Sequence, residues 1–109
     1  MLRAVICLAI VSVAGAAPAA VQDAKTQGEK VFADQKCALC HSIGDKGSKK
    51  GPLDGVGSKL KAEEIREWIV DAKAMTAKTN ATRKPAMKAY VLPKDDVDAL
   101  VAYLTTLKK

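Results

Sequence analysis

Histidine occurs once in this 109-residue chain and cysteine three times, so the side chains that hold most protein-bound metal ions are scarce. A closed zinc site built on Cys37 and Cys40 needs two further ligands, and His41 is the only histidine available. Aromatic residues are also few, namely Phe32, Trp68, Tyr90 and Tyr103. No stretch alternates β-branched and polar residues as a half-buried strand does, and nothing repeats at a fixed period, which leaves an all-α single domain as the expected class. The formal net charge is +6. Nucleic acid is a poor explanation of it, because no binding motif is present and stacking aromatics are too few.

The N-terminus begins Met1-Leu2-Arg3, continues as an apolar run from Ala4 to Ala14, and ends in Gly15, Ala16, Ala17, Pro18 and Ala19. A basic start, apolar middle and small-residue end make residues 1–19 a secretory signal, with cleavage after Ala16 or after Ala19. The alternative is an uncleaved membrane anchor, since residues 4–21 are all uncharged and reach the lower limit for a span. Gly15 and Pro18 weigh against it. Cleavage removes Cys7, and the remaining two cysteines lie in one short motif, so no structural disulfide is expected in an exported protein. The domain proper is expected over 20–109. With about 90 residues and four aromatics, burial alone supports only marginal stability, and the core needs an additional staple.

The motif is Cys37-Ala38-Leu39-Cys40-His41. Two thiols three positions apart can add to the two vinyl groups of one porphyrin, and a histidine that follows directly is carried under its iron. A Cys-x-x-Cys pair can instead be a thiol-disulfide couple, but that chemistry sits after a strand. Val31 to Lys36 has the pattern of an amphipathic helix end. The expected cofactor is therefore one covalent haem c with its iron, a large apolar group able to serve as the missing core.

Helix is expected from Asp23 to Lys36, opened by Thr26-x-x-Glu29 in capping-box spacing. Gly28 and Phe32 share one face of it. Ser42 to Ser58 carries five glycines and Pro52 and is expected to be irregular, an unusual length of loop that packing against a cofactor would explain. Lys61 to Lys73 returns to helix with Ile65, Trp68, Ile69 and Ala72 on one face, though Lys61 is a poor cap. Met75 to Pro93 is expected to be mostly loop, broken by Pro85 and Pro93. Lys94 to Leu107 is the clearest helix, with Val97, Leu100, Val101, Leu104 and Leu107 forming its buried stripe.

On Gly28-x-x-x-Phe32, the Cys37–His41 motif, Gly51-Pro52-x-x-Gly55-Val56-Gly57, Pro85-Ala86-Met87 and Tyr103-Leu104, residues 23–107 resemble the small monohaem class I cytochromes c, of the signal-bearing bacterial periplasmic type with His/Met ligation. The resemblance implies terminal helices that cross, setting Gly28 and Phe32 against Leu100 and Tyr103. It also implies a central helix and long loops wrapped around the haem, with Phe32, Gly51, Pro52, Trp68, Pro85 and Leu100 supporting it. A carbonyl of Gly51 or Pro52 would accept from His41 and fix its tautomer.

With His41 proximal, the sixth ligand could be Met87, Met75, a lysine or nothing. Pro85 and the loop context favour Met87. Filling both axial positions leaves no site for a substrate, so single-electron carriage in the periplasm is expected rather than enzyme activity. The alternatives are a haem subunit delivering electrons within a membrane or enzyme complex, and a haem enzyme or sensor with displaceable Met87. Lys36, Lys46, Lys49, Lys50, Lys59, Lys84 and Lys88 lie near the ligand segments. Lys49, Lys50, Lys84 and Lys88 are the expected docking charges of a monomer that meets acidic redox proteins or a membrane respiratory complex.

Overall fold

Helix α1 spans Ala19–Asp34 in the computed structural model, which describes residues 19–109. The expected secretory signal, apart from Ala19, and Cys7 lie outside the described residues. Thr26 does not cap α1 but sits inside it, because the alanines and glutamine upstream are good helix formers and carry the helix back to Ala19. The helix closes through backbone bonds from Gln35 N to Val31 O (2.9 Å) and Lys36 N to Ala33 O (3.1 Å). Lys36 then adopts the left-handed conformation (φ 56°) and turns the chain into a single 3₁₀ turn, Cys37–Leu39.

The glycine-rich segment is more regular than expected. Strands β1 (Ser42–Ile43) and β2 (Lys46–Gly47) pair antiparallel, with Ser42 opposite Gly47 and Ile43 opposite Lys46. Asp54 Oδ1 accepts from Gly44 N (2.9 Å) in the turn between them. Ser42 is buried and is gripped on its other side, donating its N–H to Gly51 O (3.1 Å) and accepting from Leu53 N (2.8 Å). Helix α2 (Val56–Lys59) follows at once. Two-residue strands and a four-residue helix are backbone-driven and leave no hydrophobic period to detect.

The central helix is shorter than expected: α3 covers Ala62–Val70 and α4 covers Ala72–Thr79. Asp71 breaks the run (φ −145°, ψ 56°) and its carboxylate accepts from Ala74 N at 3.4 Å, so one residue ends one helix and opens the next. Met75, expected in a loop, is therefore helical and buried. At Lys61 only half of a capping box forms, Lys61 N donating to Glu64 Oε1 (3.0 Å), because an ammonium side chain cannot accept.

Helix α5 (Lys94–Thr105) crosses α1. A Cβ on Gly28 would run into the Ala99 carbonyl oxygen and lie 2.5 Å from Tyr103 Cβ, so only glycine permits this approach. Phe32 and Tyr103 meet edge to face with centroids 6.2 Å apart. Gln27 Nε2 donates to Asp96 Oδ1 (2.8 Å), and Arg66 of α3 reaches Asp98 of α5 (2.6 Å). The core is Val31, Ile65, Ile69, Val97, Leu100, Val101 and Leu104. The fold is otherwise helical as expected, with the terminal helices crossed, and no helix among the described residues is long and apolar enough to cross a membrane.

Candidate functional site

Left-handed Lys36 and the 3₁₀ turn after it decide the placement of the cysteines. Cys40 N and His41 N both donate to Cys37 O, at 3.1 and 2.9 Å, and this winding brings Cys37, Cys40 and His41 onto the wall of one cavity of about 640 Å³. Both cysteines are free thiols, Cys37 half-buried and Cys40 exposed. Burial is the main influence on Cys37 and pushes its thiol above the ordinary value. A thiol-disulfide couple needs the opposite shift, towards a stable thiolate.

His41 Nδ1 lies 3.0 Å from Gly51 O, so Nδ1 carries the proton and donates, leaving the Nε2 lone pair free to bind a metal. Burial lowers the imidazole pKa; the Gly51 carbonyl works against that and the charge of Arg83 works with it, which keeps the ring neutral near pH 7. Of the Gly51-Pro52 pair, glycine alone supplies the acceptor. Pro52 sits behind it in a bridge to Ser42, is exposed, and is not part of the cavity wall.

The other expected pocket residues converge as the sequence suggests. Phe32 comes from α1, Trp68 from α3, Leu100 from α5, and Pro85 and Met87 from the irregular segment between α4 and α5, all on the cavity wall. Met87 is half-buried there, whereas Met75 is 3% exposed in the helical core and does not reach the wall. Of the expected docking lysines only Lys88 borders the cavity, together with Lys36; Lys49, Lys50 and Lys84 are exposed and set back from it.

Arg83 and Tyr90 also line the cavity and were not legible as site residues. Arg83 Nη2 donates to Cys40 O (2.6 Å), and Lys88 Nζ stands 5.2 Å from the centre of the Tyr90 ring. The one available signal for Arg83 was its residue type, since it is the only arginine between α4 and α5.

A haem fits these residues. The wall is largely aliphatic and aromatic, both thiols and the imidazole meet on it, and Arg83 and Lys88 offer cations for carboxylates. Among the described residues no buried side-chain polar atom lacks a hydrogen-bond partner, so the interior makes no demand for water or a small polar ligand. No set of three or more His, Cys, Asp or Glu gathers among the described residues to hold a bare ion.

Comparison with known proteins agrees with the geometry. The family model described as cytochrome c matches residues 26–108. The cytochrome c oxidase subunit 2 of Alkalihalophilus pseudofirmus (strain ATCC BAA-2126 / JCM 17055 / OF4) is 29% identical over 91 residues, covering 75% of this chain and 25% of its own. The chain thus spans about a quarter of the length of the curated relative it matches. No solved structure matches. The match extends from within α1 past the end of α5, and the chain belongs to the cytochrome c family as a small class I member that binds haem c covalently.

Proposed function

We propose that this protein is an exported single-electron carrier whose haem iron is held between His41 and Met87, working in the periplasm once residues 1–19 are removed. The observation that carries the proposal is that one apolar cavity gathers Cys37, Cys40, His41 and Met87, while Met75 is used up in the core. Bound haem supplies a reversible ferric-ferrous couple. The chain's part is to hold it: Cys37 and Cys40 anchor it, and Gly51 orients His41 for coordination through Nε2. Met87 would supply the second protein ligand, a thioether that would favour ferrous iron, and the aliphatic wall would keep water out. With both His41 and Met87 bound to it, the iron would carry electrons rather than activate a ligand.

Replacing Met87 with alanine is expected to abolish the sulfur-to-iron charge-transfer band of the ferric protein, and Met75→Leu to leave it. The opposite pattern would overturn the assignment. Rapid carbon monoxide or cyanide binding by the unmodified protein at neutral pH would favour a haem enzyme or sensor with displaceable Met87.

A second reading, electron delivery inside one membrane complex, is supported by the similarity to part of an oxidase subunit 2. Fractionation separates the two. Processed protein in the periplasmic fraction supports the shuttle, and protein with Met1 intact in membranes supports the tethered subunit.

A further inference from the structure

Met87 belongs to a segment with little internal structure. From Ala81 to Tyr90 there is no helix or strand. Backbone bonds fix its two ends, Ala81 N to Thr76 O (3.1 Å) and Tyr90 N to Ile69 O (2.8 Å). Between those ends, the hydrogen bond from Arg83 Nη2 to Cys40 O is the single one found among the described residues. It joins the segment that carries Met87 to the turn that carries both thiols and His41.

The same guanidinium has a second contact. A Cβ on Gly51 would run into Arg83 Nη1 and into the Cys40 carbonyl oxygen, so the Nη1 end of the guanidinium rests against Gly51. Gly51 is also the residue whose carbonyl accepts from His41 Nδ1. One side chain therefore touches the support of the proximal histidine and ties down the segment of the distal methionine. A neutral thioether is a weak ligand, and whether it stays bound depends on how firmly its backbone is held.

We propose that Arg83 is a positioning residue that clasps the Met87 segment to the haem-attachment turn and so sets how readily Met87 leaves the iron. The proposal rests on Met87 being the axial ligand. Arginine suits the task better than lysine because one arm of its fork, Nη2, can donate to Cys40 O while the other, Nη1, rests against Gly51. Loss of the clasp frees the segment between its two fixed ends, and an external ligand then competes with a looser methionine.

The test is cyanide binding to the ferric holoprotein, followed with the sulfur-to-iron charge-transfer band, in Arg83→Ala, Arg83→Lys, Met87→Ala and, as a surface-charge control, Lys78→Ala. Arg83→Ala is expected to bind cyanide about tenfold more tightly, equivalent to about 1.4 kcal/mol, and to lose the band at a lower pH than the unaltered protein. Arg83→Lys, which retains charge and one donor, is expected to recover only part of the difference, and Lys78→Ala to change nothing. Unchanged cyanide affinity in Arg83→Ala, or full recovery in Arg83→Lys, would overturn the clasp while Met87→Ala still loses the band. A band that survives Met87→Ala would instead overturn the ligand assignment beneath it.

Discussion

Lys36 shows how much one backbone conformation decides. Its left-handed φ of 56° ends α1 and starts the turn that presents Cys37. A side chain in that conformation costs about 1–2 kcal/mol, which glycine avoids while losing more conformational entropy on folding. Lys36→Gly is therefore expected to stabilise the holoprotein by about 0.5–1 kcal/mol in chemical denaturation. Lys36 also places a cation on the cavity wall. Position 36 was legible as a helix end but not as a strained one, because nothing in a lysine announces φ > 0. Gly51 presents the converse case. It was legible as the support of His41, yet the reason it must be glycine is the Cys40 carbonyl oxygen, a backbone atom eleven positions earlier that cannot swing aside as the neighbouring Arg83 side chain can.

Among the elements, the α1–α5 crossing is the most demanding contact. The Ala99 carbonyl facing Gly28 belongs to a helix and cannot move aside. Gly28→Val is expected to destabilise the protein by about 3 kcal/mol, the upper part of the range for overpacking, with Gly28→Ala less severe, as measured by denaturant unfolding of the holoprotein. These two helices were readable because their apolar stripes have the 3.6-residue period and α5 follows Pro93 with Asp95 and Asp96 in its first turn. The division of α3 from α4 was not, since Asp71 is compatible with a helix interior by pattern, and its backbone angles, which nothing in the pattern marks, are what end α3 and let its carboxylate cap α4. The pairing of β1 with β2 was hidden for a different reason: its bonds are all main-chain, and only the glycine at position 44 (φ 59°) marks the turn.

For the molecule as a whole, core and cavity share residues. Ile65, Ile69, Leu100 and Leu104 are buried core positions and also form the wall that faces the cofactor. Removal of the haem leaves both unfilled, so the apoprotein is expected to lose ordered tertiary packing. Lys36 and Lys88 stand at the cavity, and Lys49, Lys50 and Lys84 are exposed away from its wall. Electron-transfer rates with an acidic partner are expected to fall as ionic strength rises. Charge reversal at Lys49, Lys50, Lys84 or Lys88 is expected to slow association more than reversal at Lys108 or Lys109, as stopped-flow measurements across a salt series would show. A rate flat with salt, or equal effects at the C-terminal pair, would reduce these lysines to a solvated surface.

Trp68 is the only tryptophan in the chain, and its indole lies on the cavity wall. A porphyrin held in that cavity would absorb in the region where indole emits, so excitation would pass to it and the folded holoprotein is expected to give almost no tryptophan fluorescence. Emission returns only when α3 draws away from the cofactor. The loosening of this wall is thus visible optically, in one native side chain, without any label.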